Sequence, residues 1–247
     1  MDSARSEVFA EFYSRYIARD KDLFKRSVTP DTRHVLDLME KDSYFLGSSE
    51  PYVASLLSFV TLMSEPRSVL EIGTLIGYST IIIADCLAQN KTSSSKIFTV
   101  DPDTRMVEIA KKYVSQAGLE DHAEFLIGKS LDPEIIELLH KYGPFDLLFV
   151  DSLHNYSNTI KEMRSLTYFV RDGGLIICHD SGIRAQNFDT EKRGGVRRAL
   201  LEFTSDKKEF LFLDPPIWAP IGSFIMKKQP ARRKFWETWR KISTHTI

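Results

Sequence analysis

The sequence predicts an α/β domain built on a mostly parallel sheet with helices on both faces, and two observations carry that expectation. Short apolar runs alternate with amphipathic helical stretches between residues 68 and 204, and parallel strands need crossovers, which are usually helices. The runs SVLEI (68–72), KIFTVD (96–101), AEFLIG (123–128), DLLFVD (146–151) and GLIICHD (174–180) are mostly apolar, as burial on both faces demands. With 247 residues, 43% of them hydrophobic and 27% charged, the chain can bury a real core, and disordered or collagen-like classes are excluded.

The elements follow in order. Residues 5–27 and 31–41 read as amphipathic helices, with Val8, Phe9, Phe12, Tyr16 and Ile17 at helical spacing, and form an N-terminal helical cap over 1–50. Ser48, Ser49 and Glu50 precede Pro51, a start signal for a helix over 51–64. Helices at 78–88, 104–117, 132–142, 156–169 and 195–204 separate or follow the strands. Two last runs, EFLFLD (209–214) and GSFIMKK (222–228), are joined only by PPIWAPI, and so short a link favours an antiparallel pair. The main domain therefore spans 51–228, and 229–247 is a basic tail with Phe235, Trp236 and Trp239 interleaved, expected to pack in a homodimer or on the N-terminal helices.

Charge and cysteine usage narrow the class. Lys and Arg total 33 against 34 Asp and Glu, a balance that argues against nucleic acid as a partner. Cys86 and Cys178 sit inside apolar runs, as buried thiols in a reducing cytoplasm would. The first residues lack an apolar signal core and no apolar stretch approaches the length of a membrane span, so no stable membrane insertion is expected.

Ligands of open parallel sheets bind beyond the carboxyl ends of the strands. The first strand ends in Glu71-Ile72-Gly73-Thr74-Leu75-Ile76-Gly77-Tyr78-Ser79. Two glycines let the turn approach a ligand closely, but the spacing is not that of a pyrophosphate cradle, and Glu71 suits a cationic ligand. Asp101 closes the second strand, where a carboxylate commonly accepts from ribose hydroxyls. Asp151 and Asp180 end the fourth and fifth strands and can hold a hard divalent cation, Mg²⁺ first, with calcium or manganese as substitutes. His154, three residues after Asp151, titrates near neutral pH and suits a general base. Taken alone, the same residues also serve as ordinary turn glycines, helix caps and a surface histidine.

The pattern E-I-G-T-x-x-G-Y-S strongly resembles the first motif of class I S-adenosylmethionine-dependent methyltransferases, in particular the metal-dependent O-methyltransferases related to the catechol and caffeoyl-CoA enzymes. The resemblance extends over about 47–228 and includes SSEPYVASLL, AGLEDHAEFLIGKSLD and the closing hairpin. It implies a Rossmann-like seven-stranded sheet of order 3-2-1-4-5-7-6 with the last strand antiparallel. It also implies S-adenosylmethionine as cofactor, with Glu71, Gly73, Gly77, Tyr78, Ser79, Asp101, Ser130 and Asp151 around it and Ser130 near the adenine. Metal ligands are implied at Asp151, Asp180 and Ser181, the last in a place where the catechol enzymes carry asparagine. His154 stands where those enzymes carry a catalytic lysine. The H-N-Y after Asp151 and the His179-Asp180 pair also resemble the macrolide-sugar methyltransferase and cephalosporin hydroxylase branch. His179 itself is expected to bond cofactor or backbone.

The expected reaction is methyl transfer to a hydroxyl of a small molecule. The acceptor is expected to be chosen by the N-terminal helices, the polar segment 182–195 and the PPIWAPI loop, where Pro215 and Trp218 suggest a flat or apolar body. The competing expectations are a methyltransferase-like binder without turnover and a nucleotide-dependent oxidoreductase, which would need the missing pyrophosphate turn.

Overall fold

The computed structural model describes residues 25–90, 94–183, 185, 189–206, 209–214 and 222–230. Most of the first predicted helix, the PPIWAPI loop with Pro215 and Trp218, and the aromatic tail beyond 230 lie outside the described residues. The element order is α1 (Pro30–Met39), α2 (Pro51–Ser64), β1 (Ser68–Ile72), α3 (Tyr78–Gln89), β2 (Lys96–Asp101), α4 (Thr104–Gln116) and β3 (Ala123–Ile127). There follow α5 (Pro133–Tyr142), β4 (Phe145–Val150), α6 (Tyr156–Leu166), β5 (Val170–Cys178), α7 (Gly195–Phe203), β6 (Phe210–Leu213) and β7 (Ser223–Lys227).

The strands form one sheet of order β3-β2-β1-β4-β5-β7-β6, the order expected from the resemblance. β1 to β5 pair in parallel, while β7 runs antiparallel to both β5 and β6. Alternate side chains of each strand point to opposite faces. Val69, Ile97, Leu147 and Phe149 enter a core covered by α1 to α4, and Leu70, Ile72, Leu148 and Val150 enter one covered by α5 to α7.

Thr29 caps α1, accepting from the Thr32 amide at 3.4 Å ahead of Pro30. The fully buried Asp85 of α3 accepts from the Thr32 hydroxyl at 2.6 Å and from the Thr29 hydroxyl, which fastens α1 to α3 and supplies the partners a buried carboxylate requires. Among the described residues no helix is long and apolar enough to cross a membrane.

Sheet hydrogen bonding continues one residue past each strand and thereby aligns the functional edge. The amide of Gly73 donates to Val100 O, that of Asp151 to Ile72 O, and that of His179 to Val150 O, at 2.8–2.9 Å. β5 differs from expectation at both ends, starting at Val170 and stopping at Cys178. Its start pairs through a register shift against Phe145 and Leu147, so polar Arg171 and Asp172 belong to the strand. It stops because Asp180 adopts φ 51°, a left-handed conformation that a strand cannot contain and that Asp tolerates better than most side chains.

Candidate active site

The strand order reverses between β1 and β4, and there the chain encloses a cavity of about 460 Å³, the size of a small-molecule cofactor site. One wall is the segment Gly47 to Ser49 before α2. The floor is the turn from Gly73 to Leu75. The far end is Asp101, Pro102, Gly128, Lys129 and Ser130, and the near end is Asp151 to His154.

Gly73 has φ +100°, and a Cβ placed there would lie 1.9 Å from the carbonyl oxygen of Asp151. Only glycine lets the turn pass this close to the fourth strand. Gly77 (φ +86°) plays a different part: its missing Cβ makes room for Ala110 of α4, 2.9 Å away, and it does not line the cavity.

Asp101 accepts from the amides of Thr74 and Leu75 at 3.0 Å through one oxygen, and from Asp103 at 2.8 Å through the other. The turn amides that would grip a pyrophosphate are thus taken by a carboxylate, which is a physical argument against a dinucleotide in this place. The second oxygen, with one donor, keeps lone-pair capacity for a further hydroxyl.

Glu71 is fully buried on the α3 face of β1, where it accepts from Ser79 at 2.6 Å and from Thr80. Burial pushes its carboxyl up to about 7 against the pull of those hydroxyls, so it meets the cavity only through Ser79. Tyr78 and Ser79 line the cavity, and the Tyr78 ring packs edge-on against Phe45 at 5.1 Å. Ser130 donates to Glu162 at 2.6 Å, and Ser152 donates to the other oxygen of the same carboxylate at 2.6 Å. Burial pushes Glu162 up, opposed by these hydroxyls. Glu162 and Asn158, one helical turn apart on α6, line the cavity as well; neither was singled out in the sequence.

Asp151, His154 and Asp180 each place one ligand atom within 4.8 Å of the others. His154 Nδ1 lies 2.6 Å from Asp180 Oδ2, with the imidazole 42% exposed. Burial pulls this imidazole down, but the charge and hydrogen bond of Asp180 outweigh it and hold the group at about 9, so the free pair keeps a proton at neutral pH. Burial pushes Asp180 up, yet His179 and His154 hold it well below the usual carboxylate range. Two carboxylates fit a hard divalent cation such as Mg²⁺ or Mn²⁺, with the imidazole, hydrogen-bonded to Asp180, beside it. The Ser181 hydroxyl is buried beside them without a hydrogen-bond partner among the described residues, the condition expected where a further ligand completes the site.

His179 bonds neither backbone with its ring nor the cavity. Its Nδ1 lies 3.0 Å from Asp151 Oδ1 and its Nε2 2.7 Å from Glu50 Oε2. Burial pulls it down, but Asp151, Asp180 and Glu50 outweigh this and hold it well above the ordinary histidine range. Burial pushes the Glu50 carboxyl up as well, against the pull of His179, and the ring bridges the two carboxylates through its two nitrogens. Glu50 was read only as part of a helix start; its partner lies 129 residues away, a pairing that no local pattern signals.

Residues 70–181 match the family model described as a methyltransferase domain, which bears out the resemblance read in the sequence. The chain is 32% identical to the catechol O-methyltransferase of Niastella koreensis over 107 residues, 42% of this chain and 46% of that protein. It is 30% identical to the catechol O-methyltransferase of Mycobacterium tuberculosis over 133 residues, 51% of this chain and 56% of that protein. The matched stretches thus span about half the length of these curated relatives. The fold is that of an O-methyltransferase from Bacillus cereus solved with S-adenosylhomocysteine, with a TM-score of 0.65 at 22% identity over 82% of this chain and 91% of that one.

Proposed function

We propose that the protein is an S-adenosylmethionine-dependent O-methyltransferase acting on a hydroxyl of a small molecule, assisted by a divalent cation at Asp151 and Asp180. The observation that carries this reading is the cavity itself, which is lined by Asp101 at one end and at the other by Asp151 and His154, the two members of the Asp151–His154–Asp180 cluster that reach it. Bound S-adenosylmethionine supplies an electrophilic methyl group on a cationic sulfur. A divalent cation held by Asp151 and Asp180 would supply charge that offsets the two carboxylates, favours the neutral form of His154 and lowers the pKa of a neighbouring hydroxyl.

The chain's own residues do the rest. Asp101 orients the ribose, Gly73 lets the backbone close on the nucleoside, and Ser130 offers its oxygen at the far end. Asp151 lines the cavity and would offer its charge to a cationic ligand there, the electrostatic part that Glu71, bonded to Ser79 and Thr80, does not fill. His154 is the general base: Asp180 holds Nδ1, which leaves Nε2 to accept the acceptor's proton, the geometry by which an oriented imidazole works. A reducing cytoplasm is part of this reading and is supported by the buried free thiols Cys86 and Cys178.

The test is methyl transfer from labelled S-adenosylmethionine to a panel of catechols, other phenols and sugar hydroxyls, with and without chelator. The reading predicts product with at least one acceptor, loss of turnover in chelator and recovery on adding Mg²⁺ or Mn²⁺. Turnover unchanged by chelator would contradict the cation's part.

A further inference from the structure

Glu50 occupies the N-cap of α2 yet makes no side-chain capping bond. Its carboxylate is buried, 4% exposed, and is spent on His179 Nε2 at 2.7 Å. The other ring nitrogen of His179 reaches Asp151 Oδ1 at 3.0 Å, and the Ser49 hydroxyl donates to Asp151 Oδ2 at 3.0 Å. Both oxygens of Asp151 are therefore held from the start of α2, one directly by Ser49 and one through His179 by Glu50. A buried row of carboxylate, imidazole and carboxylate is costly to desolvate, and apolar residues of the same volume would commonly stabilise the fold as well or better. No step of the proposed methyl transfer uses Glu50 or His179.

What the row does is mechanical. Gly47 to Ser49 form a wall of the cavity, and Asp151 belongs both to the cavity and to the cation cluster. We propose that Glu50 and His179 are a positioning pair that locks this wall to Asp151, so that a nucleoside in the cavity and a divalent cation at the strand ends bind cooperatively. The proposal rests on the function proposed above. A ligand that orders the wall fixes the carboxylate that a cation needs, and a cation that fixes the carboxylate orders the wall; by linkage the two effects are equal. Partners behind a metal ligand act in this way by setting its orientation before the ion arrives.

The experiment titrates Mn²⁺ into the full chain with and without saturating S-adenosylhomocysteine, following free Mn²⁺ by electron paramagnetic resonance. In the wild type the nucleoside is expected to tighten Mn²⁺ by about 5-fold or more. Glu50→Ala, with an unfolding transition that confirms its fold, is expected to reduce that factor below about 2-fold, within the range of uncoupled sites. Glu50→Gln keeps an acceptor oxygen for His179 and is expected to keep the coupling, which a purely electrostatic role of Glu50 would not allow. Should Glu50→Ala fail to fold, Glu50→Asp withdraws the carboxylate from His179 by one methylene and is expected to lower the factor in the same sense. Full coupling in Glu50→Ala, or in Glu50→Asp where that variant replaces it, would overturn the proposal, as would equal loss in Glu50→Gln. Independent binding of both ligands to the wild type would overturn the pair alone and leave the methyltransferase reading standing; no binding of S-adenosylhomocysteine would remove both.

Discussion

Replacing His154 by alanine is expected to lower turnover by about 10²- to 10⁴-fold, the range that a positioned general base contributes, while affinity for S-adenosylhomocysteine changes only a few-fold. The asymmetry follows from the geometry. His154 stands at the edge of the cavity with its ring 42% exposed, and its hydrogen bond goes to Asp180 rather than to the nucleoside end. Removing the ring takes away the proton acceptor and leaves Asp101, Gly73 and Ser130 in place. Single-turnover methyl transfer alongside calorimetric binding separates the two quantities. An equal fall in affinity and turnover would make His154 a binding residue instead.

Gly73→Ala is expected to be the most destructive single-methyl change among the described residues. The added Cβ would sit 1.9 Å from the Asp151 carbonyl oxygen, with φ at +100°, so a steric overlap with backbone adds to a strained dihedral. Because β1 and β4 are neighbours in the centre of the sheet, neither can retreat without breaking the ladder. A loss of about 4 kcal/mol or more, the range reserved for such collisions, should appear in urea or thermal unfolding. Gly118→Ala supplies the control, since its φ is +68° but its Cβ would meet nothing within 4 Å. The difference between the two variants isolates the collision from the dihedral strain.

The strands and the sheet edge were legible because burial on both faces writes itself as apolar runs, each stopping at a polar residue. Asp101, Asp151 and Asp180 were found in this way, and strand-end hydrogen bonding does bring them to one edge. The side toward which a residue turns was harder to read. Glu71 follows Leu70 on the strand, and period-two alternation sends it to the α3 face with Val69, where Ser79 and Thr80 take its oxygens. Gly73 and Gly77 look alike in a motif, yet one clears Asp151 and the other clears Ala110. The pairings of Glu50, Ser49 and Glu162 left no local trace because their partners, His179, Asp151 and Ser130, come from the ends of other strands. Long-range polar pairs of this kind carry no periodicity for a sequence reading to detect.

The cavity's occupant is the claim on which every later step depends, and titration calorimetry of S-adenosylmethionine into the wild-type chain and into Asp101→Ala tests it most directly. The account predicts one saturable site in the wild type, affinity weakened by about 10- to 100-fold in the variant, as for loss of a charged hydrogen-bond acceptor, and no heat with NAD. Absence of binding by the wild type, or saturable binding of NAD in its place, would contradict it.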